Sequence, residues 1–457
     1  MENVAAVILA AGKGTRMKSG LVKVLHPAAG RPMIAWPVAA ARAAGAAPVV
    51  VVVGHQADAV RQVFHDFPDI RTALQEEQLG TGHAVACARE QLADFSGTVL
   101  ILCGDTPLLR AETLRELIAT HRHEGAALTV LTAVVDNPYG YGRVIRDRAG
   151  RVTRIVEQKD ATPEEQALCE INSGIYCMEA GFLNANIGAI SSDNAQKEFY
   201  LTDLVSIAAA KGLTCLGHRT AAAEEIMGVN DRAQLAEASR ILRRRINYDL
   251  MCAGVSLIDP EHSYIDGSVT IGPDTSVHPN CRISGTTAIG SGCVIESGVS
   301  IDDCSIGDGC HIKAGSVLEG SQLLAEVSVG PMAHLRPGTV LNDHVKIGNF
   351  VETKKISMGA GSKASHLTYL GDAGIGSNVN IGCGTITCNY DGVNKHRTVI
   401  GDDVFIGSDV QLVAPVEVGR NSLVAAGTTV TVDVPPDSLA ISRVPQVNKV
   451  GWRLKKK

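Results

Sequence analysis

The chain has 457 residues, which at roughly 150 residues per domain predicts two or three domains with a sizeable core. Hydrophobic residues are 45% and charged residues 20%, so the composition excludes a disordered chain. Lys and Arg number 42 against 48 Asp and Glu; the resulting net charge of −6 excludes a broad nucleic-acid footprint and leaves room only for local basic sites. Aromatics are only 4% while Gly reaches 47, which predicts a core of Ala, Val, Ile and Leu with unusually frequent turns.

The first apolar run, residues 4–10, reads as a buried strand. It is too short to cross a bilayer and lacks a basic flank, so neither a signal peptide nor a membrane span is expected. The twelve cysteines are then expected reduced, in a cytoplasmic setting. None are spaced C-x-x-C, and Cys304/Cys310 and Cys383/Cys388 lack zinc spacing, so most read as small apolar filler. Directly after the first strand comes Leu9-Ala10-Ala11-Gly12-Lys13-Gly14-Thr15-Arg16. A glycine-rich loop leading toward a helix exposes backbone N–H groups suited to phosphates, and Arg16 and Lys23 supply the positive charge. The spacing fits neither G-x-G-x-x-G nor a Walker A loop.

Helical patterns follow at 32–44, 82–92 and 111–123, alternating with strands at 49–53, 99–102 and 128–134. This order predicts an α/β domain whose largely parallel sheet is covered by helices, with ligands beyond the carboxyl ends of the strands. Asp105 follows the strand at 99–102, where a carboxylate is placed to hold Mg²⁺ between phosphates; capping the next helix is the alternative role. Residues 231–251 read as one long helix with Leu235, Ile241, Leu242, Ile246 and Leu250 as its apolar stripe. Arg243, Arg244 and Arg245 read as its solvated face.

A period of six then sets in at Ile265, Ile271, Val277, Ile283, Ile289, Ile295 and Ile301. It slips by one to Ile306 and resumes through Ile312 and Leu318, then Val329, Leu335, Leu341 and Ile347. Further hits are Ile375 and Ile381, and a last block runs Ile400, Ile406, Leu412, Val418, Val424 and Val430. Hexapeptide periodicity marks a parallel β-helix, one flat side per six residues with the aliphatic side chain inward. Such a narrow prism leaves little room for aromatics. The period lapses between Ile347 and Ile375, around Ser365-His366-Leu367-Thr368-Tyr369-Leu370-Gly371-Asp372, which predicts an excursion of the chain carrying function. His366 there is a candidate general base or a structural histidine. A second lapse, Cys383 through Asn389-Tyr390-Asp391-Gly392, predicts an inserted loop or a plain turn.

The motifs LAAGKGTRMKS at 9–19, KVLH at 23–26, QLGTGHA at 78–84 and GD at 104–105 resemble the sugar-nucleotide pyrophosphorylases. With the hexapeptide region, the whole chain resembles the bifunctional bacterial enzymes that make UDP-N-acetylglucosamine for peptidoglycan and lipopolysaccharide. The resemblance implies a Rossmann-like mixed α/β uridyltransferase domain at 1–230, a linking helix at 231–251, and a left-handed parallel β-helix acetyltransferase domain at 252–457. It assigns UTP recognition to Leu9, Ala10, Ala11, Gly12, Gln75, Gly80, Thr81 and the Gly104-Asp105 pair, with Arg16 and Lys23 on the triphosphate. Gly142, Glu157 and Asn172 would hold N-acetylglucosamine, and Asp105 and Asn230 would coordinate Mg²⁺. One departure is Val22, where the family usually has Pro before the Lys.

For the second domain the resemblance makes His366 the general base, and Arg336, Lys354, Tyr369 and Asn380 the glucosamine 1-phosphate site, with Lys395 nearby. Acetyl-CoA would touch Cys383, Asn389, Tyr390, Ser408, Ala426 and Arg443, Asn389 also positioning the amine or acetyl group. A covalent acetyl-Cys383 route ranks below direct transfer. The resemblance further implies a homotrimer, with the 383–392 loop reaching a neighbouring subunit. Two other readings are a nucleotidyltransferase whose β-helix only regulates or oligomerises, and a non-catalytic assembly protein. Arg16, Lys23 and Asp105 oppose the second of these, and His366 with Asn389-Tyr390 opposes the first.

Overall fold

The computed structural model describes residues 3–455, and the chain divides into two compact units, Met1–Leu242 and Arg243–Lys457. In the first, nine strands form one sheet: β1 Val4–Leu9, β2 Val49–Val53, β3 Ile70–Leu74, β4 Thr98–Cys103, β5 Leu128–Val134, β6 Arg143–Arg146, β7 Val152–Val156, β8 Glu170–Glu179 and β9 Cys215–Arg219. The order is β9-β5-β8-β4-β1-β2-β3, with β6 paired to β8 and β7 to β6. The β1, β2, β3 and β4 strands are mutually parallel, whereas β8 runs antiparallel to both β4 and β5. The sheet is therefore mixed.

Period two in the strands explains the two covered faces. Val7, Val50, Val52, Val99 and Ile101 pack into one apolar cluster, and Ile8, Val49, Val51, Leu100 and Leu102 into another on the opposite face. The helices Thr81–Cys87 and Asp203–Ala210 cover the first face, and Ala35–Ala43 and Ala111–His123 the second. The long helix is Arg232–Cys252. Its Leu235, Ala238 and Leu242 join Met17, Met33 and Leu108 in the first unit's packing, while Ile246 and Leu250 pack against the core of the second unit.

In the second unit each short strand pairs in parallel with the third strand on: Ile265 with Ile283, Ile271 with Ile289, Val277 with Ile295. Three hexads make one turn of a triangular prism, which matches the left-handed parallel β-helix expected. Every aliphatic position of the six-residue period is buried. The reading of Arg243 as solvated needs correction: it is half-buried, its guanidinium 4.6 Å from the Tyr264 ring centroid. Arg244 is exposed, as expected of a solvated face, and pairs with Glu261 at 2.8 Å. The cysteines also divide: Cys177, Cys215, Cys281, Cys293, Cys304 and Cys310 are buried filler, whereas Cys169 and Cys252 are exposed.

The predicted excursion at 347–375 is not there. Two long strands, Lys346–Met358 and Lys363–Ile375, continue the coil in register from Lys346↔Lys363 to Met358↔Ile375. The inward positions are simply occupied by Thr353, Met358, Ala364 and Leu370, all buried, and Thr353 and Ala364 break the run of large aliphatics that the count follows. A threonine is tolerated inside because the Thr353 and Thr339 hydroxyls bond each other at 2.9 Å. The second lapse does hold an insertion: Ile386–Cys388 keeps Thr387 inward, then residues 389–397 leave the coil before Thr398–Ile400 resumes it. Among the described residues no helix is long and apolar enough to cross a membrane. The side chains of Lys455, Lys456 and Lys457, a basic run that reads as solvated from sequence, lie outside the described residues.

Candidate active sites

The carboxyl ends of β1 and β4 lie side by side, Leu9 paired with Cys103, and the Gly104 amide donates to the Leu9 carbonyl at 2.9 Å. The 10–16 loop and the Gly104-Asp105 pair therefore emerge together at the strand ends. Ala10 and Ala11 are buried and Gly12 is exposed. The loop leads only into a single 3-10 turn, Thr15–Met17, so no helix dipole backs it and positive charge must come from side chains. The steric need for glycine falls on Gly14: a Cβ there would lie 2.4 Å from the Lys23 Cβ. Absence of a side chain at 14 lets Lys23 cross under the loop.

The Lys23 ammonium bonds the Asp105 carboxylate and the Asn230 amide oxygen, the latter at 3.3 Å, and Arg16 donates to the same Asn230 oxygen at 2.9 Å. Four residues from four segments thus converge. Asp105 is not a helix cap: the next helix starts at Ala111 with Arg110 before it, and the Asp105 carbonyl instead accepts from the Val229 amide at 2.9 Å. That bond carries Asn230 to the site. Val22 is buried and its amide donates to the Gln56 side chain at 3.2 Å, a bond a proline could not make.

A cavity of about 190 Å³ beside this cluster is lined by Leu9, Thr81, Gly142, Glu157 and Asn172 among the expected residues. It also brings in Cys103, Tyr141, Tyr176, Leu201 and Thr202, which carried no sequence signal. Burial raises the Glu157 pKa above the ordinary carboxylate value, with Asp160 and Glu198 adding to the rise and Arg143 opposing it. A Cβ on Gly142 would press on Ile155 at 3.0 Å and the Glu157 carboxylate at 3.3 Å, so glycine keeps that wall open. The Cys103 thiol is pushed up to about 12, chiefly by burial, and is inert. Gln75 is buried and donates to the Gly80 carbonyl at 3.1 Å, while the Thr81 hydroxyl accepts from the Leu201 amide at 3.1 Å.

In the prism, coil stacking puts Asn349 opposite His366. The same corner position recurs as Cys383, Ser408 and Ala426, because Ala364, Ile381, Ile406 and Val424 pair in succession. One edge thus carries His366 and three of the expected acetyl-CoA residues, about 4.8 Å apart per coil. Asn349 Oδ1 lies 2.9 Å from His366 Nδ1. An amide oxygen only accepts, so this contact assigns the proton to Nδ1 and leaves the Nε2 lone pair free. Phe350 and Leu367, which follow these two residues, hold left-handed backbone (φ 58° and 43°), a conformation large apolar residues rarely adopt.

Arg336 and Lys354 occupy equivalent positions on the face beyond this corner, and Tyr369 lies on the same face one coil on. Asn380 stands on the face before it. The Lys395 ammonium facing Lys354 pulls the Lys354 pKa below the usual lysine value, with Arg336 adding to the effect. Asp372 and Gly371 were not anticipated. Asn389 donates to the Asp372 carboxylate at 2.5 Å, and a Cβ on Gly371 would strike the Tyr369 hydroxyl at 2.5 Å and the Asn389 amide at 2.8 Å. One expected residue is not drawn in: Tyr390 is 59% exposed with its hydroxyl bonding the Gly392 carbonyl. Arg443, exposed in the extended C-terminal stretch, lies beside Gly427, next to Ala426. The 389–397 loop is held by Asp391, whose pKa is lowered to about 2 by the Asn394 amide and by His396.

Residues 6–162 match the MobA-like NTP transferase domain, residues 265–360 the GMPPB C-terminal domain, and residues 397–431 the bacterial transferase hexapeptide (six repeats). The chain is 75% identical over 457 residues to the bifunctional protein GlmU of Pelobacter propionicus, covering 100% of this chain and 99% of that protein. It is 67% identical to the bifunctional protein GlmU of Trichlorobacter lovleyi, over 99% of this chain and 98% of the relative. The GlmU of Shouchella clausii is 49% identical over 98% of both chains. With a nucleotidyltransferase sheet, a hexapeptide prism and full-length identity of this order, the chain belongs to the bifunctional GlmU family of two-activity transferases.

Proposed function

We propose that the second unit acetylates glucosamine 1-phosphate from acetyl-CoA, and that the first then transfers uridylyl from UTP to N-acetylglucosamine 1-phosphate, releasing pyrophosphate. The observation that carries the first half is the His366–Asn349 pair on the prism edge. An amine attacking a thioester carbonyl must lose a proton, and a neutral imidazole with Nε2 free is matched to take it. The Arg336, Lys354 and Lys395 cluster suits the phosphate of the acceptor sugar. Asn389, fixed by Asp372, is suited to orient the amine or the acetyl carbonyl. Cys383 sits one coil beyond His366, where its small side chain suits passage of the pantetheine arm. The exposed edge closes into a groove when a second prism lies against it, so we assign the chain a homotrimer built through its β-helix.

In uridylyl transfer the sugar phosphate attacks the α-phosphate in line, and charge neutralisation matters more than proton transfer. Lys23 and Arg16 neutralise the triphosphate, residues 9–12 with Gln75, Gly80 and Thr81 seat the uridine end, and Glu157, Asn172 and Gly142 seat the sugar. The donor chemistry suits Mg²⁺: the oxygens of Asp105 and Asn230 converge on one cation, the Lys23 ammonium. Among the described residues no three His, Cys, Asp or Glu side chains are placed to hold a metal ion together, so a divalent ion held by Asp105 and Asn230 would need further oxygens from phosphate and water. When bound, the ion withdraws charge from the phosphates.

The test is direct. Purified chain with acetyl-CoA and glucosamine 1-phosphate should release free CoA thiol, and with UTP, Mg²⁺ and N-acetylglucosamine 1-phosphate should release pyrophosphate. Absence of thiol release from folded protein would leave only the nucleotidyltransferase with a silent β-helix.

A further inference from the structure

Arg143, the first residue of β6, is only 1% exposed, an expensive place for a permanent charge. Its acceptors are all neutral: the Tyr141 carbonyl, the Gln158 side-chain oxygen at 2.8 Å and the Gln166 carbonyl at 3.4 Å. Its Nε has no hydrogen-bond partner. A role limited to filling the core would be served as well by an apolar side chain of similar volume. What distinguishes the guanidinium is what its acceptors belong to. The Gln158 oxygen also accepts from the Gly140 amide at 3.1 Å, so one guanidinium and one amide tie down both ends of the 140–142 segment. That segment forms one wall of the 190 Å³ cavity, and Glu157, the neighbour of Gln158, forms another.

We propose that Arg143 is a positioning residue for uridylyl transfer, clamping the 140–142 segment and the Glu157 strand end together and so setting affinity for the sugar 1-phosphate. This rests on the reading of that cavity as the sugar subsite. Arg143 never touches the ligand. It acts through Tyr141, Gly140 and Gln158, and by its charge on Glu157, which faces Asp160, Glu198 and Asp203 on its other sides.

Steady-state kinetics of the full chain tests this. Arg143→Met should raise KM for N-acetylglucosamine 1-phosphate by about tenfold or more, with kcat and KM for UTP little changed, because misplacing a binding wall costs acceptor affinity first. Arg143→Lys should recover part of the loss, and Gln158→Leu, which keeps the cation, should reproduce it in smaller measure. Loss of the cation should also move the acid limb of kcat/KM for the sugar to higher pH. Acetyl transfer should be unchanged, and an unchanged thermal transition of the first unit in the same preparations reports that the unit carrying Arg143 is folded. Equal losses in kcat and in both KM values, or an unmoved acid limb, would reduce Arg143 to a structural residue and overturn the proposal. Failure of the underlying reading shows separately: Glu157→Gln would then leave the sugar KM untouched, and with it the proposal falls.

Discussion

In the first unit Arg16 and Lys23, which both follow β1, meet Asp105 and Asn230 from distant parts of the chain because β1 and β4 end together. In the second, Asn349, His366, Cys383, Ser408 and Ala426 meet because each stands at the same corner of a successive coil. A sheet with helical crossovers gathers its site by topology, and residue spacing carries no information about it. A solenoid gathers its site by arithmetic, so a site becomes a column and extends naturally along a long, thin ligand. The difference also shows in what glycine does. Gly14 and Gly142 make room for particular side chains, Lys23 and Glu157, whereas in the prism Gly348 makes room for the next coil's backbone.

The sharpest way to break the comparison is to disable one site and read both. His366→Ala should lower acetyl transfer by about 10³-fold, the scale of a lost general base, and leave pyrophosphate release intact. Lys23→Ala should do the reverse, lowering uridylyl transfer by roughly 10²–10³-fold with thiol release unchanged. Cross-inhibition in either variant would show the sites are not independent.

Glycine substitutions come next. A Cβ on Gly348 would lie 1.8 Å from the Ser365 carbonyl oxygen, so Gly348→Ala should destabilise the second unit by about 2–3 kcal/mol, read as an earlier thermal transition. Gly12→Ala meets nothing within 4 Å and should leave both transitions in place, any loss being confined to uridylyl transfer. A stable Gly348→Ala would mean the coils stack less tightly than described.

The smallest effect expected is in pH. Lys354 loses its proton below the ordinary lysine range because Lys395 faces it, so its charge fades earlier than an ordinary lysine's as pH rises. KM for glucosamine 1-phosphate in acetyl transfer should therefore climb on the alkaline side before other lysines titrate. Lys354→Arg should move that climb upward, and an alkaline limb unmoved by the substitution would remove Lys354 from the phosphate site.

The linear sequence by itself determined most of the architecture. Strand periodicity marked 49–53 and 128–134 at their observed bounds, and the hexad placed every aliphatic residue it named inside the prism, because inward burial and period six are one constraint. It also marked an insertion after Ile381, expected over 383–392 and found at 389–397, since an insertion must interrupt the count. Where the inward residue was Thr353 or Ala364 the same counting failed, because a paired hydroxyl or a small side chain satisfies the interior without an aliphatic signature. His366 was thereby singled out for a lapse that is no loop, although its coil does carry the proposed base. Only tertiary structure decided that Asn349 leaves Nε2 free, that Asp372 holds Asn389, that Gly14 rather than Gly12 is sterically obliged, and that Arg143 is buried under the sugar cavity. These depend on pairing distances between coils and strand ends, which residue identity along one chain does not encode.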